Sequence, residues 1–304
     1  MKPSKILAVL AVLGYASTLA AAARATPSAA QILAKSPPSQ WRKPNPHDLL
    51  VMQLPAGRVV MELDSAYAPL HVANIKTLVR EHYFDGLAIV RVQDNFVAQW
   101  DDPAGDESAG ALKIRSLGRA KQTLPPEFTR PIGRSLPWVR LPDGDVYAPE
   151  VGFTRDFPAA RDPANQQTWL VHCYGTLAVA RDDAPDSGNG SALYVVIGQA
   201  PRWLDRNLTV VGRVIEGMDK LSSLPRGHGP LGFYAHPAHR VPIVSIRVAA
   251  DLPQAQRPDL EILRTRSRTF QRLLEAKRDR HDAFFVTPPG KIDVCGISVP
   301  VRKI

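Results

Sequence analysis

Between residues 49 and 248 the apolar positions fall into short runs bounded by Gly, Pro, Asp or Asn, too short for long helices. LLVMQL (49–54) and RVVMEL (58–63), separated by Pro55-Ala56-Gly57, predict a β-hairpin. LAIVRVQ and FVAQW, with Asp94 and Asn95 supplying the turn, predict a second. GTLAVA (175–180), LYVVIG (193–198), LTVVGRVI (208–215) and PIVSIRV (242–248) bring the expected strands to eight. The period lengthens from 2 to about 3.6 over Ala68 to Tyr83, where Val72, Ile75, Leu78 and Val79 share a face. Pro69 suits the first turn of that helix, and Gly217 to Leu224 predicts a second, short one. Eight strands in hairpin-like order with two helices predict a mainly β protein, an antiparallel barrel with helices closing its ends. No internal repeat is visible.

Four segments lie outside this pattern. Residues 1–25 begin with Lys2 and Lys5, run apolar from Ile6 to Ala22 and end in Ala23-Arg24-Ala25. They predict a cleavable signal peptide and a periplasmic or secreted protein. Residues 26–48 hold five prolines and read as an N-terminal arm. Residues 103–172, rich in Pro, Gly, Asp and Arg, read as an enlarged insertion in a domain spanning 49–252. The extension 253–304 predicts an amphipathic helix from Pro258 to Arg280, with Leu260, Leu263, Ser267, Phe270 and Leu274 on a stripe packed against the barrel.

Charge and cysteine content refine the picture only locally. The formal charge of +9 falls to +6 once Lys2, Lys5 and Arg24 leave with the leader. Between Arg257 and Arg280 eight basic residues face four acidic ones, so much of the excess belongs to the tail. Interleaved acids favour a solvated face over nucleic-acid binding, and contact with an anionic membrane surface ranks third among the readings of this chain. Cys173 and Cys295 are an even pair for an oxidising compartment, where a disulfide between them is one reading. His172 and Cys173 are neighbours on an extended run and point to opposite faces, which argues against a nucleophile–base pair. HExxH, CxxC and P-loop motifs are absent. His236-Pro-Ala-His239, with His228 nearby, could clip a metal in principle but has no cysteine or carboxylate ligand beside it, and Asp101, Asp102, Asp106 and Glu107 lack the alternating pattern of a calcium loop, so no metal is expected.

The stretch IVRVQDNFVAQWDD (89–102) poses the chemical question, because Arg91 interrupts a β-branched run and Gln99 stands in the next one. HYFDGLAIVRV followed by NFVAQWDD resembles the cyclophilin pattern in which Tyr-Asp-Gly leads to Phe-His-Arg and then Gly-Phe-Met-x-Gln-Gly-Gly-Asp. GTLAVAR, GNGSALYVVIG and WLDRNLTVVGRVIEGMDKL resemble three further blocks of that family in the same order, over about 49–249. The resemblance implies an eight-stranded antiparallel barrel capped by two helices and isomerisation of the bond preceding proline. It implies unfolded or partly folded proline-containing polypeptides as partners, with no cofactor. By position, Arg91 takes the family's catalytic arginine, with Phe96 and Gln99 beside it. Val97, Ala180, Tyr194, Trp203, Leu204 and Leu208 take the substrate-binding positions. Departures are Val90, Ala192 and Leu208, where the family has His, Gln and His, and Trp100 and Asp101, where it has glycines. Trp100 is expected to reshape the floor of the site. The alternative is a proline-binding chaperone or assembly module of the same fold with little or no turnover.

Overall fold

The computed structural model describes residues 27–105, 114–134, 136–280 and 284–304. The expected signal peptide lies outside the described residues, as do Asp106 and Glu107 of the acidic run. In chain order, helix α1 (Ala29–Ala34) and strand β1 (Trp41–Arg42) precede the hairpin β2 (Leu49–Leu54) and β3 (Gly57–Leu63). Helix α2 (Pro69–Arg80) leads to the hairpin β4 (Ala88–Val92) and β5 (Val97–Asp101). Five strands then follow: β6 (Arg130–Pro131), β7 (Val139–Leu141), β8 (Glu150–Thr154), β9 (Phe157–Asp162) and β10 (Gln167–Leu170). The chain continues through β11 (Thr176–Val179), β12 (Leu193–Val196), β13 (Val210–Glu216) and α3 (Met218–Ser222). It ends with β14 (Val241–Pro242), β15 (Ser245–Val248), β16 (Leu260–Leu263), α4 (Arg268–Arg278) and β17 (Val301–Lys303).

Nine strands form one antiparallel sheet in the order β14-β4-β5-β12-β11-β13-β3-β2-β15. The eighth expected strand is split. Val241–Pro242 pairs with β4 at one edge, while Ser245–Val248 pairs with β2 at the other. Two residues of chain thus bridge the sheet's two edges and close the barrel, which removes exposed edges. Met52, Met61, Ile89, Trp100, Leu177, Val195 and Val211 fill the interior, and α2 buries Val72, Ile75, Leu78 and Val79 in the same core. Trp100 is fully buried there, so it packs inside the barrel and leaves the outer face unchanged, contrary to expectation. In β12–β5 pairing Trp100 faces Leu193, whereas Gln99 faces Tyr194, and alternate residues point to opposite faces.

The segments outside the alternating pattern build a second core. The insertion is a five-stranded antiparallel sheet, β6-β10-β9-β8-β7, where sequence composition suggested only a long loop. The tail is also corrected: Leu260–Leu263 is a strand held between β1 and β17, and the helix begins at Ser267, whose hydroxyl accepts from the Phe270 amide at 3.1 Å. Leu260 and Ile262 also alternate around Glu261, so over so few residues the period of a strand is present beside the helical spacing of Leu260 and Leu263. Pairing partners on both sides decide it. All five stripe residues are buried nonetheless, but Phe270 and Leu274 pack against the insertion and the arm (Phe153, Trp169, Ile32, Trp41) rather than the barrel. Phe153 and Phe270 meet edge to face at 5.0 Å. Each such side chain contributes about 1.5–3 kcal/mol of burial.

Three ties join the cores. A disulfide links Cys173, just before β11, to Cys295 in the tail, with Cα atoms 5.1 Å apart. At the β8–β9 turn, Arg155 and Asp156 both adopt positive φ, giving a two-residue hairpin turn. The Asp156 carboxylate accepts from Arg42 of the arm and from the Thr265 amide of the tail, while Arg42 also pairs with Glu62 of β3 at 2.7 Å. Glu127 of the insertion accepts from the Leu70 and His71 amides at 3.0 Å each, capping α2, whose own preceding residue, Ala68, cannot.

Candidate active site

Arg91 lies opposite Gln99, and Gln99 opposite Tyr194, so the three side chains leave one face of the barrel. A bulge between Ile89 and Arg91 shifts the β4 register and turns Arg91 outward from an otherwise apolar run. That resolves the charge in the strand: the guanidinium is half-buried and each of its three nitrogens has an acceptor. Its Nη1 donates to Gln99 Oε1 at 3.2 Å, Nε to the Leu231 carbonyl at 2.7 Å, and Nη2 to Gln93 Oε1. Phe96 and Phe233 rings lie 5.4 and 5.5 Å from its central carbon. Burial lowers the Arg91 pKa from its ordinary value, with Tyr194 opposing, and arginine remains cationic in proteins.

Around this cation the structure brings together Phe96, Val97, Ala180, Tyr194 and Leu208 in one apolar cluster. Trp203, more than half exposed, joins by stacking on Phe96 at 6.0 Å. Leu204 sits in the same turn as Trp203 but outside the cluster. The cluster continues into the insertion through Phe157, Ala159 and Leu170, and within it Val97 and Tyr194 are almost completely buried. Phe96, Ala180, Leu204 and Leu208 are half-buried, and with Trp203 they are the members open to a ligand.

Tyr194 is tied from beneath. Its hydroxyl meets His172 Nε2 at 2.9 Å, His172 Nδ1 meets Asp205 Oδ1 at 3.0 Å, and Arg202 donates to Asp205 at 2.6 Å and to Asp145 at 2.8 Å. Burial, with the Asp205 charge added, raises the Tyr194 pKa far above the usual phenol value, against the opposing pull of Arg91 and Arg181. Burial works against the Asp205 carboxylate, but His172 and Arg202 outweigh it and hold its pKa below the usual value. The phenol therefore stays neutral and fixed.

Beside Gln99 opens a cavity of about 550 Å³, lined among others by Asp101, Asp102, Asp182, Pro230 and Phe233. Burial pushes the Asp101 carboxyl up to about 6; the Asp102 amide bonds to it and works the other way, while the Asp102 and Asp182 charges push it further up. Sequence reading missed Gln93, Phe233, the Leu231 carbonyl and His172. Gln93 follows Arg91 by two residues, a spacing that shares a strand face and could have flagged it. The turn at 231–233 is about 140 residues away and carries no local signal.

Comparison with known proteins agrees with this geometry. The family described as "Cyclophilin type peptidyl-prolyl cis-trans isomerase/CLD" matches residues 49–248. A Brucella suis protein named "Probable peptidyl-prolyl cis-trans isomerase" is 29% identical over 186 residues, covering 60% of this chain and 74% of its own. A Gibberella zeae protein named peptidyl-prolyl cis-trans isomerase-like 1 is 26% identical over 205 residues, covering 67% of this chain and 97% of its own. The crystal structure of cyclophilin AquaCyp293 from Hirschia baltica superposes with a TM-score of 0.69 at 26% identity, over 90% of this chain and 96% of that one. Covering 90% of this chain, that match extends beyond the 200 residues from 49 to 248. Its barrel, its order of motifs and the family match together make this chain a member of the cyclophilin-type peptidyl-prolyl cis-trans isomerases.

Proposed function

We propose that this isomerase acts on Xaa-Pro bonds of unfolded or partly folded polypeptides outside the cytoplasm, with Arg91 as its catalytic residue. The observation that carries the assignment is the Arg91 guanidinium, held between two aromatic rings at the rim of the Phe96–Trp203 surface. Peptide resonance opposes rotation by about 18–20 kcal/mol. As the bond twists, the proline nitrogen regains a lone pair that the planar state lacks. A donor aimed at that nitrogen bonds mainly in the twisted state, so it lowers the barrier rather than tightening ground-state binding. Gln99 orients the guanidinium, and Phe96, Leu204, Leu208 and Trp203 offer an apolar seat for the pyrrolidine ring, with Val97, Ala180 and Tyr194 supporting it. Export is supported by the leader sequence and by a 26% identical Synechocystis relative whose name places it provisionally in the thylakoid lumen.

The test is catalysis by residues 26–304 on a short Xaa-Pro peptide and on refolding of a proline-limited protein. Arg91→Ala is expected to lose about 100-fold or more in kcat, the scale of a lost active-site donor, while the fold and most peptide binding survive. Arg91→Lys rescues poorly, because an ammonium cannot hold several acceptors in one plane. A second reading, binding with little turnover, draws on the burial of Val97 and Tyr194, which removes two of the expected binding positions from the open surface. It prevails if the wild type binds proline peptides without accelerating their isomerisation.

A further inference from the structure

A guanidinium carries five N–H groups. In Arg91, one on each nitrogen is occupied: Nε by the Leu231 carbonyl, Nη1 by Gln99 and Nη2 by Gln93. One N–H on each terminal nitrogen remains for a ligand. Gln99 alone, at 3.2 Å, fixes one corner of the group and leaves its plane free to swing. The other two acceptors and the second aromatic face come from residues outside the family motifs noted above.

The turn that supplies them is built against β4. The Gly227 amide donates to the Val92 carbonyl at 2.9 Å, and the Tyr234 amide to the Val90 carbonyl at 3.0 Å, so the segment straddles Arg91. Leu231 and Gly232 both adopt left-handed φ, +54° and +81°. Leu231 is two-thirds exposed, so no core packing accounts for a left-handed non-glycine residue there. What the conformation does achieve is the 2.7 Å contact of its carbonyl with Arg91 Nε. Gly232 permits the close approach: a Cβ there would lie 2.6 Å from the Gln93 Cα, against backbone that cannot yield. Gln93, Gly232 and Arg91 therefore interlock.

We propose that Gln93 and the Leu231–Phe233 turn are positioning residues for prolyl isomerisation, locking the plane of the Arg91 guanidinium so that its two remaining N–H groups face the substrate. This rests on the catalytic role proposed for Arg91. A donor that acts only on the twisted bond tolerates little misplacement; an error of about 1 Å can cost as much as 100-fold.

Gln93→Leu removes the acceptor at similar volume, and Gly232→Ala pushes the turn away without touching Arg91. Both are expected to lower kcat about tenfold with KM unchanged; Gln93→Leu leaves the melting temperature unchanged, Gly232→Ala, strained at positive φ, lowers it, and Gln93→Glu, which keeps an acceptor, restores most of the rate. An independent readout is solvent exchange of the Arg91 Nε–H by NMR, expected to be slow in the wild type and at least about tenfold faster in Gly232→Ala, its acceptor being lost. An active wild type alongside variants with undiminished kcat overturns the positioning role, as does a loss of kcat in Gln93→Leu that tracks a loss of melting temperature. If the wild type is itself inert, the functional reading falls and the exchange measurement decides the lock by itself. Should Gly232→Ala fail to fold, Gln93→Leu with the same exchange measurement carries the decision.

Discussion

The barrel and the lobe assembled from arm, insertion and tail contain the same kinds of element, yet they are held together differently. In the barrel, sequential neighbours pair: β2 with β3, β4 with β5, and β11 with β12, each across a turn or loop. In the lobe, β1 pairs with β16 across most of the chain, and the helix of the tail packs on the sheet of the insertion. Hydrophobic burial serves both. Both contain local hairpins, β8–β9 and β9–β10 of the lobe included, and both contain distant pairs, but the arm and tail of the lobe meet only at long range and are secured by further ties: the disulfide, the Arg42–Asp156 pair and the Glu127 cap. The difference teaches that one family fold can carry a second core whose outer parts, the arm and the tail, find their partners only far away in sequence.

The contrast can be strained hardest at Cys173 and Cys295. Replacing both with Ser opens a link spanning 122 residues, and the chain-entropy relation puts the loss at up to about 5 kcal/mol. Denaturation of the oxidised wild type against the double variant measures it, and a change under about 1 kcal/mol means that packing alone secures the lobe. Phe270→Ala comes next, at about 3–5 kcal/mol for an aromatic lost from a core. Hydrogen exchange should accelerate across 150–170 and 260–276 and leave β11–β13 protected. Equal acceleration in the barrel strands means the two cores unfold as one.

Asp101 gives the smallest effect and sharpens the comparison from the barrel side. Its folded pKa, raised to about 6 from an ordinary 3.8, means the folded protein holds a proton that the unfolded chain releases. Stability from this group is present below about pH 4 and fades as pH rises through about 6, by at most about 3 kcal/mol. Asp101→Asn should therefore gain stability at pH 7.5 relative to wild type and lose that advantage at pH 4. A pH-independent difference between the two proteins rules this cause out.

Legibility followed the same divide. Short apolar runs bounded by turn residues revealed the barrel strands, because a strand buried on both faces reads as a near-continuous apolar run. The one misjudgement there, reading PIVSIRV as continuous, arose because nothing local distinguishes a strand that changes partners halfway. In the lobe, Leu260–Leu263 fits helix and strand alike, and only its neighbours β1 and β17 decide. At the site, Arg91, Gln99 and Phe96 could be named because they fall within one short motif. His172 and the turn at Leu231–Phe233 could not, since their roles come from the path of the chain through space.

The β1–β16 pairing also has a consequence in time. Trp41 emerges early from any vectorial process, whether the ribosome or a translocation channel, while its partner Leu263 follows roughly 220 residues later. At about 5–20 residues per second, the arm waits on the order of 10–45 s before it can be covered. Through that interval the Trp41 ring and the apolar side of α1 stand open to whatever holds nascent chains. The barrel, complete by Val248, closes first and presents the finished surface on which the late-arriving tail gathers the arm.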